Sequence, residues 1–337
     1  MLEKDVTEEL KYVRDISEDE GFSQLGLKCI IDGKITDILT EMAVFGSISI
    51  EKSQSPIVIG VGHEKQAQIF TAVPSRSRSI DDITATLIGS VMVPAGQSSI
   101  WISGLSVFPD GRMIFANCFY NKRLVIVQRN GTLDTEIPIS PLIPHDSTCI
   151  DDKTVAVPTL YNNTIVILDT ENKQVTNTIK TGRCRGIIYR QEQLLYCEIE
   201  KGIVGIQLSN NKVITIVKDD TVENHWSYIT TSGENIYYTG NGSTVKCYSV
   251  RGEKRWEYKN NSILMDPTGI AVDQNGVVYV LSNGDKCVVL ISEDGKNGRT
   301  LFTIKDGITE SYGIYLRTNK LIVVTLTGQI LQFNKHK

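Results

Sequence analysis

A stretch of about 42 residues recurs six times along the chain, and that recurrence limits the fold more than any other feature. The clearest copy is DPTGIAVDQNGVVYVL at residues 266–281. Residues 270–272 and 277–281 are short β-branched and aromatic runs, and the Asp-Gln-Asn-Gly at 273–276 supplies a tight turn between them. A third apolar run follows at 288–291 and a weaker fourth at 300–304. The units align on Gly104, Ser147, Gly186, Tyr228, Gly269 and Gly313, which are 43, 39, 42, 41 and 44 residues apart. Four short antiparallel strands at this period predict an all-β fold, a six-bladed β-propeller with a small N-terminal α/β extension. The small anchor residues fit strands crowded around a central axis.

The domain reading follows from the repeat. Residues 85–337 form the propeller. Its sixth unit stops after three strands, near Phe333, which would leave an open sheet edge. Residues 85–93, ATLIGSVMV, have the length and composition of the missing outer strand and are expected to close the ring. Residues 334–337 read as a frayed end. Ahead of the propeller, residues 1–24 read as a helix with Val6, Leu10, Val13 and Ile16 on one stripe, the pattern of a coiled-coil tail through which two copies would pair. Residues 25–74 read as a small α/β region, with strands at 26–31 and 45–51, a helix at 34–44, and further strands at 57–62 and 68–72. Residues 75–84 read as a flexible Ser/Arg linker in which Ser77 or Ser79 could be phosphorylated, the plain linker being favoured.

The segment PTGIAVDQNGVVYV at 267–280 resembles an NHL repeat, and Asn121-Lys-Arg-Leu-Val-Ile126 resembles that family's Asn-x-Arg-hydrophobic turn. Asn162-Asn-Thr-Ile165 is a looser copy, while the units at 198–202 and 240–244 lack the family's Asp and Asn positions. The resemblance covers residues 85–337. With its N-terminal extension, the chain looks most like the C-terminal half of an invertebrate tripartite-motif (TRIM-NHL) protein. That resemblance implies a module that binds protein or RNA through its loops, as the substrate-holding part of a ubiquitin ligase. The ligase family's activity resides in a zinc-binding RING domain, and no RING or B-box spacing of cysteine and histidine occurs here.

Charge and motifs narrow the function classes. The net charge of −4 is carried by residues 1–96, with 9 Lys/Arg against 15 Asp/Glu, whereas residues 97–337 hold 26 against 24. A nearly neutral propeller has no bulk field for nucleic acid, so RNA binding would need a local basic face. The 7 cysteines are scattered and read as buried free thiols of a reducing compartment. No secretion signal and no apolar run of the roughly 20 residues that span a bilayer is seen, so a cytoplasmic location without membrane association is expected. Walker, G-x-S-x-G and H-E-x-x-H motifs are lacking, and no catalytic residue, metal or cofactor is assigned.

In a propeller, the turn between a blade's second and third strands shares a face with the link to the next blade. Basic and aromatic residues gather in those segments: Trp101, Tyr120, Lys122, Arg123, His145, Tyr161, Arg183, Arg185 and Trp226, with His225, Lys201 and Tyr312 nearby. Arginine pairs with phosphate or carboxylate, and aromatics stack on bases or fill partner pockets. These residues are expected to bind a protein substrate or a single-stranded or stem-loop RNA. The alternative is a calcium-dependent lactonase-like or lyase-like enzyme using Asp146, Glu198, Asn241 and Asn283.

Overall fold

The computed structural model describes residues 25–30, 47–52, 79–94, 99–119, 121–222, 226–240 and 242–336. The chain divides into two units, residues 1–73 and 74–337. In the first, Leu25–Ile30 pairs antiparallel with Ser47–Lys52, Leu25 opposite Lys52 and Ile30 opposite Ser47. The helices read at 1–24 and 34–44 and the strands read at 57–62 and 68–72 lie outside the described residues.

The second unit is a six-bladed propeller. Each sheet winds outward through four strand positions in chain order, starting from Ile102–Val107, Ile143–Pro144 with Thr148–Cys149, Cys184–Arg190, Ile229–Ser232, Pro267–Val272 and Ser311–Arg317. We number the blades 1 to 6 in that order. In blade 6 the fourth position is held by Thr84–Met92, which lies antiparallel to Gln329–His336. This last strand runs past Phe333 because Asn334, Lys335 and His336 pair with Thr86, Ala85 and Thr84, so the tail read as frayed is a strand end. Lys335 Nζ also sits 2.5 Å from the buried Asp273 carboxylate of blade 5.

The sequence pattern explains each blade. In blade 5, Asp273 Oδ1 accepts the N–H groups of Asn275 and Val277 at 2.8 and 3.0 Å. Gly276 turns the chain at a φ of 79°. The anchor glycines mark close approach at the axis. A Cβ on Gly186 would lie 2.5 Å from Tyr228 Cα, and one on Gly104 would lie 2.6 Å from Asp146 Cα. Six apolar clusters fill the seams between neighbouring blades. At the seam of blades 5 and 6, Phe302 stacks on Phe333 with centroids 4.0 Å apart. Cys118, Cys184, Cys197, Cys247 and Cys287 are free and buried, and Cys149 is free and half-buried.

The last part of the stretch read as linker is held in place. Ile80–Asp82 is a 3-10 turn capped by Ser79, whose Oγ accepts Asp81 N–H at 3.2 Å. Arg299 donates to the carbonyls of Ile80 and Ile83, and both isoleucines are buried. Composition flagged the Ser/Arg alternation but not these two apolar anchors. Among the described residues no helix is long and apolar enough to cross a membrane.

Candidate functional site

The loop face named by the sequence reading surrounds the mouth of the central channel. Its centre is aromatic. Trp226 lies against Tyr312 at 4.5 Å between centroids and against His145 at 5.2 Å. His145 stacks on Tyr228 at 5.6 Å, and Trp101 meets Phe119 edge-on at 5.3 Å. The Tyr228 hydroxyl, from the start of blade 4, donates to the Ser103 carbonyl of blade 1. Blades 1 and 4 face each other across the axis, so this bond bars the channel. Tyr312 Oη accepts Asn283 Nδ2–H at 3.2 Å, and burial pushes its phenol up to about 12. Trp101, His145 and Trp226 are therefore brought together, but His145 is fully buried.

The basic residues are not brought together. Arg123 is buried and lies 3.2 Å from Glu136. Arg185 is also buried, donates to the Cys184 carbonyl at 2.7 Å, and has its pKa lowered by burial. It lies in a strand buried on both faces from Cys184 to Ile187, whereas Arg183, just before the strand, is exposed and sits 2.5 Å from Glu200. The Arg-Cys-Arg triplet thus presents one guanidinium to a partner, already matched to an acid. Lys122 is half-buried, with Nζ 3.4 Å from the Pro141 carbonyl. Tyr120 and His225 lie outside the described residues.

Around the mouth the loops carry mixed charge with acids in excess. Glu200, Asp220, Asp266, Asp285 and Glu310 are exposed there, against exposed Arg183 and Lys201 and half-buried Lys122 and Lys286. Further out, Lys180, Lys218 and Lys259 end the outermost strands. Tyr161 is the most prominent apolar group, 75% exposed. Its φ of 66° holds it at the apex of the blade 2 turn, a conformation that bulky residues rarely adopt.

Of the acids and amides considered for an enzyme, Glu198 and Asn283 are occupied with neighbouring side chains and backbone. Glu198 accepts the Tyr196 hydroxyl at 2.9 Å and pairs with Lys201 at 3.0 Å. Asn283 bridges Tyr312 and the Ser311 N–H. Asp146 Oδ2 accepts the Ile187 N–H at 3.1 Å. Asn241 is outside the described residues. Among the described residues, no group of three or more His, Cys, Asp or Glu could hold a metal ion.

Sequence reasoning used Tyr228 only to align the repeats and missed what it does. A tyrosine where four units carry glycine must point its bulk somewhere, and the free space is the channel. That contrast was the available signal.

No protein-family model matches the chain, and no curated protein matches it. Solved structures do. A Bacteroides thetaiotaomicron protein of unknown function aligns with a TM-score of 0.60 at 12% identity, covering 75% of this chain and 76% of that one. A virginiamycin B lyase from Staphylococcus aureus aligns with a TM-score of 0.55 at 13% identity, covering 75% of this chain and 99% of that one. At these identities the likeness is one of fold.

Proposed function

We propose that the propeller is a protein-recognition module that uses the aromatic mouth and the loops around it. One observation carries this reading: the cations nearest the mouth are buried, paired or outnumbered by exposed acids, Lys180, Lys218 and Lys259 lying further out, while Tyr161, Trp226 and Trp101 offer aromatic surface. Nucleic-acid binding draws its affinity from unopposed cations, whereas protein interfaces draw theirs from aromatic anchors within a polar surround. Taken with the TRIM-NHL resemblance, the finer form of the proposal is a substrate-holding part of a ubiquitin ligase. Fold likeness to a lyase supports the enzyme alternative less well, because Glu198 and Asn283 are engaged in the propeller's own hydrogen bonds.

Two measurements test the proposal. Fluorescence polarisation with single-stranded and stem-loop RNA pools is expected to show no tight binding. Sub-micromolar binding that falls about 10³-fold between 50 and 200 mM salt, and is lost in Arg183→Glu/Lys201→Glu, would replace protein with RNA as the partner. Affinity capture by the full chain should retrieve a protein that the Tyr161→Ala/Trp226→Ala variant loses and that persists as salt is raised.

A further inference from the structure

All six blades line a cavity of about 190 Å³ on the propeller axis, five through their innermost strands and blade 2 through Asp146 and Ser147. At the mouth end its floor is made by Tyr228, Tyr312 and Asp146. The lining then climbs past Thr231, Val272 and Leu316, at the ends of their strands toward the opposite face. The channel is therefore a well, floored beneath the aromatic mouth. Its walls are mixed: Leu105, Ile188, Ile270 and Ile314 supply aliphatic surface, and Ser106, Thr230 and Thr231 lie among them.

Two polar groups stand at the floor. Asp146 is 6% exposed; burial pushes its carboxyl up to about 7, against the backbone N–H groups of Ile187 and Ser147, which favour the charged form. Ser147 is 3% exposed, and its Oγ has no hydrogen-bond partner. A buried hydroxyl is normally paired, and a buried carboxylate favours a cation beside it. The break between Ile143–Pro144 and Thr148–Cys149 in blade 2 thus places a carboxylate and an unused acceptor at successive positions on the wall of the well.

We propose that this well binds a primary alkylammonium group, its –NH₃⁺ head on Asp146 and Ser147 and its carbon chain along Leu105, Ile188, Ile270 and Ile314. An ammonium has three donors and no acceptor, which matches a carboxylate next to a free hydroxyl. A calcium ion asks for roughly six to eight oxygen ligands, usually with several carboxylates, and Asp146 is the one carboxylate among the residues that line the well. The volume equals that of roughly six waters of liquid, enough for a short chain. The same head group occurs on a free amine and on a lysine side chain, so the well could serve either.

Calorimetric titration of the full chain tests this with n-butylammonium chloride, n-butanol and the peptide acetyl-Gly-Lys-Gly-amide. n-Butylammonium is expected to bind at one saturable site, with n-butanol at least ~10-fold weaker because it lacks the charge. Binding of the peptide as well identifies side-chain access, and binding of the amine alone identifies a free-amine site. Asp146→Asn should weaken n-butylammonium at least ~10-fold, and Ser147→Ala about 3-fold or more, which keeps the test open if the asparagine variant does not fold. No binding of n-butylammonium, equal binding of n-butanol, or unchanged affinity in either folded variant would overturn the proposal.

Discussion

In blade 5 the innermost strand, Pro267–Val272, is continuous, and Gly269 lets it approach the Tyr312 carbonyl of blade 6. In blade 2 the equivalent strand is two pieces, Ile143–Pro144 and Thr148–Cys149, with His145, Asp146 and Ser147 between them. The seam to blade 3 is then made by side chains, with Asp146 Oδ2 on Ile187 N–H at 3.1 Å and Thr148 Oγ1 on Tyr189 N–H at 3.0 Å. Where the repeat keeps its small anchor, backbone lies against backbone. Where a polar run replaces it, the seam acquires a buried carboxylate, and burial pushes Asp146 up to about 7. Blade 5 buries a carboxylate too, but Asp273 has Lys335 at 2.5 Å and the Tyr279 ring beneath that lysine. The same residue type is a satisfied ion pair in one blade and an unmatched charge in the other.

The largest expected effect lies at the paired carboxylate. Lys335→Met strands a buried charge and should lower stability by about 3–5 kcal/mol in urea unfolding. Asp146→Asn should not lower it at pH 7 and is expected to raise it, because the amide keeps an acceptor and removes a buried charge. If Asp146→Asn costs more than Lys335→Met, the contrast between the blades fails. Gly269→Ala comes next, at about 1–3 kcal/mol, since its Cβ would collide with backbone. The blade 2 counterpart, Ser147→Ala, should stay within about 0.5 kcal/mol, losing only an unpaired hydroxyl.

A pH series sharpens the comparison further. The folded pKa of Asp146, about 7, lies above its ordinary value of 3.8, so the folded state holds the extra proton between those values. Its contribution is therefore full below about pH 4 and lost as pH rises through about 7, by on the order of 1 kcal/mol per pH unit at the steepest. The wild type minus Asp146→Asn difference in chemical denaturation should show that slope, and a flat difference would refute it. The smallest effect is Thr148→Val, about 1 kcal/mol for one hydrogen bond to the Tyr189 N–H, read by thermal unfolding.

The six blades were legible because their signals are local: a turn such as Asp-Gln-Asn-Gly at 273–276 and apolar runs at a constant period need no knowledge of the rest of the chain. Burial of the arginines was not legible. Arg183 and Arg185 differ by two positions, yet one lies before a strand buried on both faces and the other within it, and only the point where that strand begins separates an exposed guanidinium from a buried one. Ile80 and Ile83 were hidden for a related reason, because what fixes them is Arg299, over 200 residues away. The Asp146–Ser147 floor was hidden in the alignment itself, which treated Ser147 as a small anchor like the glycines.

The recognition face and the axial well both require that the ring be closed by Thr84–Met92 beside Gln329–His336. Thr86 and Asn334 are exposed partners across that junction. Mild oxidation of Thr86→Cys/Asn334→Cys, followed by peptide mass spectrometry, is expected to show a disulfide between positions 86 and 334 within one chain, together with a raised unfolding midpoint. Free thiols at both positions, or links only between chains, would contradict the closed ring.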